Sequence, residues 1–96
     1  MEDNSLIPAI DFCTSHRVKI ELVHTLNKQG LIEVITHKKL LFIPENQVKK
    51  LERILVFHRE LDINLEGVET ILSLLQRMES MQEHILELEN KLQRFL

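Results

Sequence analysis

The sequence predicts a mainly α-helical fold with a small β-hairpin and a long C-terminal helix. Three observations indicate this fold: apolar residues at helical spacing, a basic stretch flanked by two apolar runs, and a C-terminal heptad pattern. The chain has 96 residues, enough for one small domain with a modest core. Hydrophobic residues make up 44% of it and aromatic residues only 4%, so Leu, Ile and Val must form most of that core.

The first two predicted helices lie near the N-terminus. The first helix should run from about Pro8 to Ser15, because proline suits a first helical turn, where its missing N–H would have no partner. The second helix should cover Ile20 to Gln29, with Leu26 on its apolar face. Gly30 then ends this helix, since glycine readily takes the left-handed conformation found just past helix ends.

A hairpin and two further helices follow. In "LIEVITHKKLLFI" apolar runs flank the polar "THKK", which predicts two strands at about residues 33–43 with a basic tip. Pro44 should begin the third helix, whose apolar positions continue to Leu61. Asn64 suits the N-cap of a fourth helix, because its side chain can accept a hydrogen bond from an unpaired backbone N–H.

The fourth helix carries the most regular pattern in the chain. Its apolar residues recur at alternating spacings of three and four, which is a heptad seam. The seam consists of Ile71, Leu74, Met78, Met81, Ile85, Leu88, Leu92 and Phe95. A helix with so narrow an apolar stripe needs a partner. We expect its N-terminal half to pack on the domain's own core and its last two turns to pair with a second chain, which predicts a homodimer.

Charge is distributed unevenly along the chain. The net charge is −3, yet residues 16–50 hold seven Lys and Arg against three Glu, a formal charge of +4. Residues 51–96 hold five basic and nine acidic side chains, a formal charge of −4. A basic middle block is compatible with a nucleic-acid face, but a segment this short also reaches such a charge by chance.

Several classes of function receive no support from the sequence. Cys13 is the single cysteine, so it cannot form an internal disulfide, and we expect it to be a small core residue. Two glycines cannot build a phosphate loop, and no base is arranged to activate a nucleophile. The five histidines, His16, His24, His37, His58 and His84, lack metal-ligand spacing. We therefore expect a non-enzyme without cofactor or metal. We expect it in the cytoplasm, because neither a signal peptide nor a membrane-spanning stretch is evident.

The order of these elements resembles the MerR-type winged helix-turn-helix. The stretches "QGLI" and "FHRELDINLEGVETILSLL" resemble that family's helix end and its third-to-fourth helix junction, although Asp62 stands where the family usually has glycine. The resemblance covers roughly residues 8–96. It implies a winged helix-turn-helix at residues 1–62, with the hairpin as the wing. It also implies a dimerisation region at residues 63–96, packed on the same domain. The family's dimers are antiparallel, whereas His84 and Glu89 would pair in a parallel dimer.

Three further motifs resemble the CbpM-like chaperone modulators, small members without an effector domain. These motifs are "IDFCTSH", "HREL" followed by "LEGVETIL", and "ENKLQRFL". The resemblance implies an adaptor that binds a J-domain co-chaperone and inhibits it. J-domains present a basic helix to their chaperone partner, so the contact should use carboxylates. The candidates are Asp3, Asp11, Glu60, Asp62, Glu66 and Glu69. An ordinary role also accounts for Glu66 and Glu69, since negative charge is favourable in a helix's first turns.

A MerR-type DNA-binding regulator is the alternative. Recognition helices of such regulators usually carry Arg-Tyr-Tyr-Glu before the glycine, but the matching residues here are His24, Thr25, Leu26 and Asn27. Leucine cannot donate to a phosphate, and phosphate contacts supply much of the affinity for DNA. The sequence therefore favours the adaptor over DNA binding. The candidate DNA contacts are Arg17, Lys19, His24, Lys28, Lys38 and Lys39. Metal sensing has less support, because sensor branches place cysteine ligands after the coiled coil.

Overall fold

A computed structural model describes residues 5–96, so the candidate contact Asp3 lies outside the described residues. The elements in chain order are β1 (Leu6–Pro8), α1 (Ala9–His16), α2 (Ile20–Lys28), β2 (Ile35–His37), β3 (Leu40–Pro44), α3 (Glu45–Leu55), a π-helical turn (Val56–Glu60) and α4 (Leu65–Arg94). The predicted class is confirmed: the chain is mainly helical, with a small antiparallel sheet and a long C-terminal helix. It divides into two compact units, the first ending at Leu61 and the second beginning at Asp62.

The sheet of the first unit contains one strand that was not predicted. Its order is β1-β3-β2, and both pairings are antiparallel. Strand β1 pairs Leu6 with Pro44, and Pro8 is the last residue of this strand rather than part of the first helical turn. The prediction that Pro8 begins the first helix is therefore wrong by one residue, because Pro8 is the N-cap of α1.

The predicted hairpin is present but shorter than residues 33–43. Strand β2 begins at Ile35 because the two preceding backbone N–H groups bond to side chains instead of to a neighbouring strand. The N–H of Glu33 donates to Gln47 Oε1 at 3.0 Å, and that of Val34 donates to Asn27 Oδ1 at 3.3 Å. These two bonds join the approach to the wing with α3 and α2.

The hairpin turn consists of two lysines in an unfavourable backbone conformation. His37 pairs with Leu40, and the intervening Lys38 and Lys39 have φ values of 52° and 67°. A two-residue turn with positive φ at both positions is the pattern of a type I′ turn, in which Asn-Gly is strongly preferred. Each lysine there costs on the order of 1 kcal/mol relative to a residue suited to the left-handed region.

The double variant Lys38→Asn with Lys39→Gly should therefore be more stable than the natural chain. We expect a gain of about 1–2 kcal/mol, which raises Tm by roughly 4–8 °C for each kcal/mol in a domain of this size. Thermal unfolding followed by circular dichroism measures this change. The control is Lys49→Asn with Lys50→Gly, the same substitutions within α3, which should lower Tm because asparagine and glycine are poor helix formers. A turn variant no more stable than the natural chain would contradict the strain argument.

The core of the first unit lies between the helices and one face of the sheet. Its buried residues are Ala9, Phe12, Cys13, Val23, Leu26, Leu31, Ile32, Ile43, Leu51, Ile54 and Leu55. The expectation that Cys13 is a core residue is confirmed, since its side chain is only 4% exposed. Gly30 ends α2 as predicted, with a φ of 81°, where a residue with a side chain would be strained.

The third helix does not continue regularly to Leu61 as predicted. The α-helix ends at Leu55, and the π-helical turn follows it. A π-helical turn holds more residues than an α-helical turn, so the apolar positions beyond Leu55 lose their helical register. Leu61 donates its N–H to Val56 O at 3.1 Å and is 57% exposed, which shows that it is not a core position.

The second unit begins with a tight connector and a capped helix. Asp62 has a φ of 56°, a left-handed conformation that explains why a glycine is favoured at this position. Asn64 is the N-cap of α4 as predicted, because its Oδ1 accepts a hydrogen bond from the N–H of Gly67 at 2.7 Å. A Cβ atom on Gly67 would lie 2.8 Å from Ile63 Cγ2, so the connector fits glycine at this position.

The heptad seam of α4 is exposed over most of its length. Val68 is buried, and Ile71 is half-buried. Every seam residue from Leu74 onward is at least half exposed. The helix ends at Arg94, which places Phe95 one residue beyond the helix instead of within it. Across residues 5–96, no helix is both long enough and apolar enough to span a lipid bilayer.

Candidate functional site

A first cleft lies where α1 ends against α3 and the π-helical turn. We call it the helix-end cleft. Its volume is about 530 Å³, and its lining residues are His16, Glu52, Leu55, Val56, Arg59 and Glu60. Among the predicted contact residues, Glu60 lines this cleft.

Polar contacts around His16 connect the ends of these elements. Its Nδ1 donates to Phe12 O at 3.1 Å, since a carbonyl oxygen can only accept, and its Nε2 lies 3.2 Å from Glu52 Oε2. The Arg59 guanidinium donates to His16 O at 2.8 Å, which satisfies the last carbonyl of α1. The His16 ring also stacks on Phe12, with centroids 3.9 Å apart. These contacts hold the ends of α1, α3 and the π-helical turn together at the cleft wall.

The remaining acidic candidates are exposed but belong to different places. Asp11 lies in the first turn of α1 and does not line the helix-end cleft. Asp62 precedes the N-cap of α4, and Glu66 and Glu69 lie in its first turns. Within the second unit, these three carboxylates therefore lie at the N-terminal end of α4. Their negative charge there interacts favourably with the positive end of the helix dipole.

A second cleft lies between the N-terminus of α1, the helix α2 and the hairpin. We call it the wing groove. Its volume is about 400 Å³, and its lining residues are Pro8, Ala9, Ile10, Ile20, His24, Thr36, Lys39, Leu40, Leu41 and Phe42. Of the candidate DNA contacts, His24 and Lys39 line this groove. The others are exposed elsewhere on the first unit: Arg17, Lys19, Lys28 and Lys38.

The residues that replace Arg-Tyr-Tyr-Glu in α2 have internal roles at three of the four positions. The hydroxyl of Thr25 donates to Glu21 O at 3.0 Å. Leu26 is fully buried, and Asn27 Oδ1 accepts the bond from Val34. His24 and Asn27 are the exposed members of the set, and Thr25 is half-buried. Helix α2 thus presents few groups that could bond to phosphates at these positions.

The structure provides no activated nucleophile at Cys13. Burial raises the pKa of its thiol, and the charge of Glu21 raises it further. A raised pKa keeps cysteine in its unreactive thiol form at neutral pH. Within residues 5–96, no three His, Cys, Asp or Glu side chains are grouped closely enough to hold a metal ion.

Comparison with known proteins identifies the family but no individual relative. The family model described as "MerR HTH family regulatory protein" matches residues 7–90, most of the chain. No curated protein and no solved structure matches the chain. The match agrees with the helix pair α1–α2, the hairpin after it and the long last helix. This chain therefore belongs to the MerR helix-turn-helix family of regulatory proteins.

Proposed function

We propose that this protein is a non-catalytic adaptor that binds a J-domain co-chaperone and lowers its activity. The observation that carries the proposal is the use of α2 residues in the protein's own fold. Leu26 is in the core, and Thr25 and Asn27 bond to neighbouring backbone groups. Residues of α2 that make these internal contacts are not available to contact phosphates. This favours a protein partner over DNA.

Motif resemblance and charge also support the adaptor. The segments around Cys13, around Arg59 and at the end of α4 are similar to those of CbpM-like modulators. Five acidic candidates are exposed and available to a basic helix: Asp11, Glu60, Asp62, Glu66 and Glu69. The family match itself fits a chaperone modulator and a transcriptional regulator equally well.

Titration of this protein into an isotope-labelled J-domain from the same organism tests the adaptor proposal. We expect NMR signals of the basic helix of the J-domain to shift, with an affinity that weakens as salt rises. The variant Glu60→Lys should weaken binding roughly fivefold, the effect of losing about 1 kcal/mol from one exposed charge contact. The matched control is Glu79→Lys, which reverses the charge of another exposed side chain, on α4.

The outcomes separate the partner from the contact face. If no J-domain of that organism responds at high micromolar concentration, the adaptor proposal is wrong. If the J-domain responds but Glu60→Lys and Glu79→Lys weaken binding equally, the adaptor proposal stands and the helix-end cleft is not the contact.

A DNA-binding regulator is the second candidate, and the hairpin tip is the observation that favours it. Lys38 and Lys39 are exposed at the tip of the wing, and Lys39 lies beside α2 in the wing groove. The wing and the helix α2 therefore lie on one side of the domain, an arrangement that is compatible with contacts to a DNA duplex.

We expect DNA binding to be weak and strongly dependent on salt. An affinity tighter than roughly micromolar at physiological salt would exceed the usual nonspecific range and would favour the regulator. In that case, Lys38→Ala with Lys39→Ala should reduce the slope of log K against log salt by about two, because two phosphate contacts are lost. Lys49→Ala with Lys50→Ala on α3 is the control pair. Fluorescence anisotropy with a labelled duplex measures both slopes.

We also propose that the protein is a homodimer through the heptad seam of α4. The seam residues from Leu74 to Leu92 are large, apolar and at least half exposed. Side chains of this kind at heptad spacing bury each other in a coiled coil. The basic side chains Arg77, His84 and Lys91 flank the seam at one edge. The charges along this edge therefore affect whether the two helices pair in a parallel or an antiparallel orientation.

A further inference from the structure

The two edges of the apolar seam on α4 carry different charges. Heptad positions g and e lie on either side of such a seam. From Leu74 to the end of the helix, the g positions are all basic: Arg77, His84 and Lys91. Over the same stretch the e positions are Leu75, Gln82 and Glu89. One edge of the seam is therefore cationic, and the other is neutral or acidic.

The polar residues of both edges are exposed in the single chain. Arg77, Gln82 and Glu89 are all exposed. The His84 side chain is 70% exposed, and its Nδ1 lies 3.9 Å from Glu87 Oε1, a distance too long for a hydrogen bond. This contact within one helix is weak, so His84 can turn toward a second helix.

An antiparallel pair of these helices would bring the two cationic edges together. Antiparallel packing sets g residues against g residues and e residues against e residues. With the pair centred on His84, Arg77 would face Lys91 of the partner subunit, and the two His84 rings would face each other. Like charges placed opposite each other disfavour such an arrangement.

A parallel pair in register matches the two edges instead. Each g residue then faces the e residue five positions later in the partner, which sets His84 opposite Glu89 and Arg77 opposite Gln82. The twofold axis repeats each contact, so the dimer contains two of each. Charge complementarity between the edges therefore favours the parallel arrangement.

The residues of the seam itself favour the same arrangement. In parallel two-stranded coiled coils, a β-branched residue at position a with leucine at position d is preferred. Two heptads have this combination, Ile71 with Leu74 and Ile85 with Leu88. Ile85 and Leu88 are 55% and 51% exposed, so this pair of layers is available to a second copy.

We propose that two copies of α4 pair in parallel and in register, with His84 of each protomer against Glu89 of its partner. This inference rests on the proposed homodimer and adds its geometry, which departs from the antiparallel dimers that the MerR resemblance implies. The N-terminal ends of both helices, with their carboxylates at Asp62, Glu66 and Glu69, then lie side by side. In a fully overlapped antiparallel pair, the length of the 30-residue helix, about 45 Å, would separate these ends.

Distances between spin labels on the full chain test the orientation. Cysteine replaces one exposed f residue at a time, Gln76, Glu83 or Asn90, in a Cys13→Ala background. Double electron–electron resonance then measures the distance between the two labels of a dimer. A parallel dimer in register should give the same distance at all three positions. In an antiparallel dimer of any register, the largest and smallest axial separations would differ by at least about 21 Å, because each seven-residue step moves the two labels about 10 Å in opposite directions.

Charge reversal tests the contact between His84 and Glu89. Glu89→Lys should weaken dimerisation roughly fivefold, because each lysine would face a histidine, and adding His84→Glu should restore most of the loss. Residues five apart on one helix do not face each other, so this coupling reports a contact between protomers. The control Glu83→Lys makes the same charge change at an f position, away from the seam, and should alter the dissociation constant less than about twofold. Sedimentation equilibrium over a dilution series measures each constant.

The contrary results differ in what they overturn. Unequal label distances at the three f positions would overturn the parallel orientation and leave the homodimer standing. Additive effects of Glu89→Lys and His84→Glu would overturn the pairing of these two side chains. A natural chain that sediments as a monomer would overturn the homodimer and its orientation together. Circular dichroism of each variant, recorded in parallel, shows that α4 remains helical.

Discussion

Aspartate in place of Leu88 should convert the proposed dimer into a monomer. In a paired α4 the side chain at this d position would be buried, and burying an unpaired carboxylate there costs several kcal/mol. Leu88 is half exposed in the single chain, so the same substitution should leave the folded monomer intact. Sedimentation equilibrium should give a mass near twice 11.4 kDa for the natural chain and near 11.4 kDa for the variant.

Asn90→Asp is the matched control for this prediction. It adds the same charge two residues away, at a position on the opposite side of α4 from the seam. This variant should remain a dimer at the same protein concentration. A natural chain that sediments as a monomer at high concentration, or Leu88→Asp that still sediments as a dimer, would show that the seam is not the contact between two copies.

Truncation of Leu26 should destabilise the protein by about 2–5 kcal/mol, the usual cost of Leu→Ala in a core. Leu26 is fully buried in the core of the first unit. Urea unfolding should therefore show a lower midpoint with an unchanged slope. The measurements need equal protomer concentration, because any dimerisation couples stability to concentration.

Leu86→Ala provides the corresponding exposed change. Leu86 is more than half exposed on α4, so its truncation should alter stability by less than about 0.5 kcal/mol. Equal effects of Leu26→Ala and Leu86→Ala would contradict the burial of Leu26 and reopen a ligand-contacting role for α2. A large loss for Leu26 alone would agree with α2 having a structural role.

Structural features that depend on residues close together in the sequence were predictable. Helix α2 and its end at Gly30 follow from apolar spacing and glycine geometry, and the start of α4 follows from the capping ability of Asn64. Strand β1 was not predictable, because three residues carry no periodicity and the strand exists only by pairing with β3. The π-helical turn was missed for a similar reason, since α-helical spacing continues through it in the sequence.

The candidate surfaces were predictable only in part. Charged residues such as Lys39 and Glu60 could be named from their type and position. Ile10 and Leu40 could not, because an apolar residue in a helix or strand reads as a core residue whether it is covered or exposed. Their exposure depends on where α1 and the hairpin stand in the folded unit, which is tertiary information.

Contacts between distant parts of the first unit determine when it can fold during synthesis. Arg59 bonds to the carbonyl of His16, 43 residues earlier in the chain, and β1 requires β3. A ribosome adds about 5–20 residues per second, so the N-terminal strand and α1 wait several seconds for these partners to emerge. Until then, Phe12 and Leu26 have no complete core to enter. The nascent chain therefore passes through an interval in which its first two helices are accessible to chaperones and proteases.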